Sequence, residues 1–282
     1  MGHIMKRVLS IFIAGAIIFL MNGKVMDFKG GTVNYTGDNK DFAEEIISYG
    51  LEHGFQCETI KNAKYVSVVM KKYGDLLIEG RKKGFTPLII VPDCILSESI
   101  EYLYSEGNAN MEDIIKEGSE EINAEDFLDN RIKEAMPVEE EDDYDIMGEF
   151  VPPESVSSFI SLIDYSTGAP YKTIIVAKIP TDKPWELAAW IPMGGWNECP
   201  SPEEQAAVFK YWHEKYGAIP AVVHSDIWEL YIEEPPKTKD AATSLALEQF
   251  GFCSDIVYQG VDTINALASN LLNSKYWYFW WD

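Results

Sequence analysis

Basic residues are scarce in this 282-residue sequence: 23 Lys and Arg stand against 46 Asp and Glu, a formal net charge of −23. Holding a phosphate backbone or an anionic membrane face needs clustered Lys and Arg, so nucleic-acid backbone binding is not expected and a basic protein partner suits the charge better. Acidity for solubility alone would look the same. Cysteine is sparse as well. Cys57, Cys94, Cys199 and Cys253 stand far apart with no C-x-x-C pair, which indicates neither a zinc ribbon nor a disulfide framework and leaves only a Cys199–Cys253 contact open. Buried free thiols are the default for such residues. No tryptophan precedes Trp185, and all eight lie between it and Trp281, which marks a composition boundary in mid-chain. Long apolar runs are also lacking. The one candidate, Val8 to Met21 (VLSIFIAGAIIFLM), follows Lys6-Arg7 but is shorter than the roughly 18 residues a spanning helix needs.

That run has the layout of a signal peptide, a basic start and then an apolar core. Residues 1–24 are therefore read as a signal- or anchor-like segment, with export or membrane anchoring through Val8 to Leu20 weighed evenly against a buried N-terminal helix in a cytoplasmic protein. Residues 25–136 alternate helix and strand. Asp41 to Leu51 is an amphipathic helix, and Tyr65 to Met70 reads as a strand by its β-branched content. Asp75 to Lys83 is a helix ended by Gly84, Thr86 to Val91 a strand, and Ser97 to Tyr104 and Ala124 to Glu134 two further helices. The carboxylate-rich 137–149 stretch (PVEEEDDYDIMGE) repels itself and reads as a linker, because it lacks the spacing of a calcium loop.

Residues 150–282 have a denser pattern. Tyr171 to Ile179 and Trp185 to Ile191 are strand-like, and Ser201-Pro202-Glu203-Glu204 is a capping box that opens a helix ending at Gly217. Ile219 to His224 and Ile227 to Glu233 are strands, the second with a wetter face carrying Glu229. A helix over Lys239 to Phe250 stops at Gly251, and another covers Asp262 to Leu272. The sequence finishes on Tyr276-Trp277-Tyr278-Phe279-Trp280-Trp281-Asp282. Six aromatics cannot stay in water, so this run is expected as an interior strand with Trp277, Phe279 and Trp281 on one face.

The loop Gly194-Gly195-Trp196-Asn197-Glu198-Cys199-Pro200 is the most specific internal motif, because two glycines allow a sharp turn just before a capped helix. Taken with WHEKYGA, HSDIWELYIEEPP, AATSLALEQFGFCSDIVYQG, LASNLL and the closing WYFWWD, it resembles the bacterial domain of unknown function 4253 family, whose hallmark is an ending of W-F-W-W-D type. The resemblance covers about Ile174 to Asp282, and INAEDFLDNRIKE (Ile122 to Glu134) looks like a segment that often precedes it. It implies no reaction, cofactor or catalytic residue. The apolar N-terminus departs from the family pattern.

The fold expected is α+β: a C-terminal, largely antiparallel sheet with flanking helices, plus a smaller N-terminal α/β domain. The candidate binding residues are Trp196, Asn197, Glu198, Cys199, Asp226, Glu248, Asp255, Trp280 and Asp282. Cys199 with His213 or His224 would make a nucleophile, and His224, Asp226 and Glu248 a metal set. Cys199 does sit just before a helix N-terminus, but no pair has the i, i+4 spacing of a helical metal motif, and an exposed His213 with cysteines as small apolar residues outweighs both, so no metal, cofactor or catalytic residue is assigned. The function expected is a non-catalytic binding or immunity-like module. The alternative is a hydrolase-type enzyme around the GGWNECP loop and Asp282, where loop backbone N–H groups or the Asn197 side chain are expected to hold Asp282.

Overall fold

The computed structural model describes residues 9–13, 16–20, 40–61, 66–105, 110–137, 145–153, 156–164 and 167–282. Two short strands, β1 (Leu9–Ile13) and β2 (Ala16–Leu20), pair antiparallel within the apolar N-terminal run. No helix among the described residues is long and apolar enough to cross a membrane.

The remaining chain is α+β. In order come α1 (Lys40–Glu52), β3 (Gln56–Lys61), α2 (Val66–Lys83), β4 (Thr86–Ile90), α3 (Cys94–Ile100), α4 (Met111–Lys116) and α5 (Ala124–Ala135). Then follow β5 (Ile163–Asp164), β6 (Ala169–Pro170), β7 (Thr173–Ile179), α6 (Leu187–Trp190), α7 (Pro202–Tyr216), β8 (Ala218–Val223), β9 (Ile227–Ile232), α8 (Lys239–Phe252), α9 (Ile264–Leu271) and β10 (Tyr276–Trp280). Six strands form one sheet in the order β10-β9-β8-β4-β7-β3, in which only the β4–β8 pair is parallel.

This order changes the expected division of the chain. β4 lies between β7 and β8, so the 25–136 and 150–282 stretches contribute to one sheet, and among the described residues the N-terminal stretch has no sheet of its own. Of the acidic stretch 137–149, residues 138–144 lie outside the described residues. Its far end is pinned: Ile146 is buried, and the Ile146 and Met147 carbonyls accept from the backbone N–H groups of Ile264 and Asn265 at the start of α9.

Both sheet faces are covered. On one lie α1, α3 and α5 to α9, enclosing Leu88 and Ile90 of β4, Ile175, Ala177 and Ile179 of β7, Trp228 and Leu230 of β9, and Trp277 and Phe279 of β10. On the other, Val69, Tyr73 and Leu76 of α2 join Phe159 and Leu162 over Ile89, Ile174, Val176 and Val222. These three residues of α2 explain the main error of local reading. Val66–Met70 is helical and not a strand, because Val69, Tyr73, Leu76 and Gly80 recur at helical spacing on one buried stripe, and that burial outweighs β-branched propensity. Tyr65 lies outside the described residues.

Trp185–Ile191 is likewise no strand. Pro184–Glu186 forms a 3₁₀ turn that runs into α6, and Thr181 Oγ1 donates to Glu186 Oε2 at 2.6 Å to hold it. A short apolar run carries no period that separates the two states. α8 passes through Gly251 instead of stopping there. A Cβ at Gly251 would lie 2.9 Å from the Leu128 carbonyl, so the glycine lets α5 and α8 approach closely. The capping box of α7 forms in both directions at Ser201 and Glu204, and Gly217 closes the helix in the left-handed region at φ 60°.

The closing aromatic run is a strand with the expected alternation, but at the sheet's edge and not in its interior. Trp277, Phe279 and Trp281 face the core. Phe279 stacks on Trp212 (centroids 5.4 Å apart, planes 10° apart), and Phe252 meets both Phe279 and Trp281 edge-on. Tyr276, Tyr278 and Trp280 are half-buried on the other face, where Tyr276 packs edge-on against Phe159. Phe279→Ala, which opens a cavity in this cluster, is expected to lower stability by about 3–5 kcal/mol in urea unfolding. Because β4 is needed between β7 and β8, a 150–282 fragment is expected to lack a cooperative transition in the same assay; a folded fragment would contradict the shared sheet.

Candidate functional site

Gly194 to Pro200 folds back on itself. Gly194 has φ 100°, and a Cβ there would lie 2.3 Å from both the Gln205 side-chain nitrogen and the Pro200 carbonyl. Only glycine fits such a place. The backbone N–H of Gly195 donates to the carbonyls of Cys199 and Pro200, and that of Cys199 to the carbonyl of Trp196. Gln205, on the first turns of α7 and fully buried, fastens the loop to the core. Its amide nitrogen donates to the carbonyls of Met193 (2.8 Å) and Pro200 (2.7 Å), and its oxygen accepts from Trp228 Nε1 (2.7 Å). Gln205 was not singled out from the sequence, although a glutamine on the first turn after the GGWNECP loop is a visible cue.

The loop and the last residues meet as expected. Asn197, at φ 46°, donates from Nδ2 to the main-chain oxygen of Asp282 at 2.9 Å. The Asp282 N–H donates to Asp255 Oδ2 (3.1 Å), and Gln259 holds Asp255 Oδ1 (3.0 Å). Asp226 accepts twice from the same run, at Oδ2 from Trp280 Nε1 (3.2 Å) and at its carbonyl from the Trp281 N–H (3.1 Å). Asn197, Asp226, Asp255, Trp280 and Asp282 therefore lie together. Trp196 packs against the core, and Glu198 is exposed and paired with Arg131 of α5.

Two expected members do not take part. Glu248 accepts from Trp212 Nε1 at 3.0 Å and from Lys215 Nζ at 2.6 Å, so it ties α8 to α7. Cys199 is buried between Met193 Sδ (3.9 Å) and the Gln205 amide nitrogen (3.8 Å), and burial pushes its thiol far above the ordinary range. A thiol so shifted is no nucleophile. Cys253 is also buried and raised, and it donates to the Trp280 carbonyl at 2.9 Å; all four cysteines are free. His213 is bound at Nδ1 to the Ala218 carbonyl. No group of three His, Cys, Asp or Glu among the described residues is placed to hold a metal ion, so the His224, Asp226 and Glu248 set does not assemble.

The wetter face expected for β9 is dry at Glu229, which is 1 % exposed because the 156–164 stretch covers it. Its carboxylate accepts from the Ile160 N–H (3.0 Å), the Ser161 N–H (2.8 Å) and the Ser161 hydroxyl. Burial pushes its titration up to about 7, against the lowering effect of those three donors.

Residues 175–282 match the family model described as a domain of unknown function, DUF4253. Comparison with curated proteins and with solved structures gave no match. The matched stretch starts inside β7 and holds β8, β9 and β10, whereas β4, which lies between β7 and β8, comes from outside it.

Four substitutions test this geometry by thermal or urea unfolding. Gln205→Leu leaves the Trp228 indole and the Met193 carbonyl unpaired in the core and is expected to cost several kcal/mol, at about 1–3 kcal/mol for each orphaned group. Asn197→Gly keeps the left-handed backbone but loses the bond to Asp282, a change of about 1 kcal/mol, whereas Asp282→Ala removes no bond seen here and should leave stability unchanged. For Glu229 the folded-state value lies above the ordinary 4.5, so stability falls as pH rises from 4.5 to about 7. Glu229→Gln should flatten that fall, which amounts to about 3 kcal/mol, relative to the unsubstituted protein.

Proposed function

We propose that this protein is a non-catalytic binding module of immunity-like or inhibitory type, whose acidic surface holds a basic protein partner. The reading rests on how the polar groups of the GGWNECP loop are used: the Gly195 and Cys199 N–H groups, the Asn197 amide and the Asp282 main chain are taken up by bonds within the protein. Such an arrangement makes a rigid surface and leaves no activated group for chemistry. The net charge of −23 supplies the attraction, long-range and screened by salt. A hydrolase-type enzyme at this loop would need a nucleophile or a free base. Cys199 supports neither part, being buried with a raised thiol.

The test has two arms. In the first, proteins captured from a cell extract at low ionic strength are purified and titrated by calorimetry at low and high salt. Basic proteins whose Kd rises with salt are expected; acidic or salt-insensitive binders contradict the reading. In the second, chromogenic esters, amides, phosphoesters and glycosides are offered to the purified chain. Turnover that Asn197→Gly or Asp226→Asn abolishes would establish the enzyme instead.

A further inference from the structure

At the end of the sheet where β4 and β8 run parallel, His224 stands between two carboxylates. Its Nδ1 lies 2.8 Å from Asp226 Oδ1, with the Ser225 hydroxyl 3.1 Å away, and its Nε2 lies 3.2 Å from Asp93 Oδ2. An ionised carboxylate only accepts, and a neutral imidazole carries one N–H. The doubly protonated ring serves both contacts, the hydrogen bond at Nδ1 and the ion pair at Nε2. No Lys or Arg among the described residues pairs with Asp93 or Asp226; His224 is the cation they share.

The two carboxylates reach different parts of the fold. Asp93 Oδ1 caps α3 by accepting from the Leu96 N–H at 2.8 Å, so the residue anchors the loop after β4. Asp226 holds the Trp280 indole and the Trp281 N–H at the end of β10. One ring thus joins the β4–α3 loop, the β8–β9 turn and the aromatic run. We propose that His224 is a pH-operated latch: as imidazolium it fastens the last strand and the β4–α3 loop to the β8–β9 turn, and as its proton leaves this end of the sheet loosens.

The surroundings favour the closed form at low pH. The groups facing the ring are Ser225 and Asp226 of its own turn, Asp93 after β4, Asp164 of β5, and the Tyr171 ring with its centroid 6.0 Å away. Across Asp226 lies β10 with Trp280 and Tyr278. Burial lowers the tendency of His224 to hold its proton, but the bond to Asp226 and the charges of Asp93, Asp226 and Asp164 outweigh it, and the balance lies above the ordinary value. A histidine raised in the folded state contributes stability that is full below its ordinary 6.5 and is lost as pH rises through the folded value. Asp93 Oδ2 is buried with no hydrogen-bond partner and only the ring's charge 3.2 Å away, so loss of the proton from Nε2 leaves it facing a lone pair. Glu229, on β9, titrates in an adjacent window and weakens the folded state in the same direction, so the test must separate the two.

The full chain in a Glu229→Gln background is followed by amide hydrogen exchange of residues 276–282, corrected for intrinsic rates, at about pH 6 and about pH 8.5. Protection of the Trp281 amide is expected to fall several-fold between the two. In the additional presence of His224→Gln, protection should stand at the alkaline level at both values. An equal pH response with and without His224 would overturn the latch. Should the double variant not fold, an NMR titration of the His224 ring in the unsubstituted protein decides: a midpoint above the ordinary value, coincident with shifts in the Trp280 indole N–H, supports the latch. A midpoint at or below the ordinary value, or an indole N–H that does not move with it, refutes it.

Discussion

The constraint on which the structure depends is that one face of β10, carrying Trp277, Phe279 and then Trp281, has to leave water. An edge strand lacks neighbours on one side, so its apolar face is buried by helices packed on the sheet. Trp212 of α7 and Phe252 of α8 meet it directly, and Phe209 packs on Phe252 and Trp228. Glu248 then lies where it can take the Trp212 indole and Lys215 together, which satisfies a polar atom the aromatic packing would otherwise strand. The strand's outer side is guarded by Cys253, which donates to the Trp280 carbonyl, and by Asp255, which accepts from Asp282. These contacts occupy ladder groups that an exposed edge would offer to another chain.

Next to this apolar cluster the polar groups form a connected set. Gln205 links the GGWNECP loop to Trp228, Asn197 links the loop to Asp282, and Asp226 links the aromatic run to His224 and so to Asp93. The first link is fully buried and neutral, so it fixes geometry whatever the pH. The last is ionic and partly exposed, so it responds to protons. The same end of the sheet is therefore rigid on the loop side and adjustable on the histidine side. In the proposed binding function, a surface built there would have its shape set by the loop and its mobility set by His224.

Much of this was legible in the amino acids alone. The capping box at Ser201, the Gly217 terminus, the alternation of Trp277, Phe279 and Trp281, and the bond from Asn197 to Asp282 follow from local stereochemistry or from the need to hold polar groups beside buried rings. The likeness of the closing motifs to one family also rests on residues in order, and the match over 175–282 agrees with it. Local reading failed at Val66–Met70 and at Trp185–Ile191. There the deciding term was which side chains the sheet would bury, and five to seven residues do not contain that information.

Sequence by itself determined the α+β class, the acidity, the inert scattered cysteines and the aromatic strand, because each is a property of composition or of near neighbours. Tertiary structure alone decided that β4 enters between β7 and β8, that the aromatic strand lies at an edge, that Glu229 is dry, and that Asp93 faces His224. Asp93 and His224 are far apart along the chain and come together because β4 and β8 end side by side. Pairing of distant strands is chosen by the burial of the whole sheet, not by any stretch of it, and the charges at strand ends go where that choice carries them.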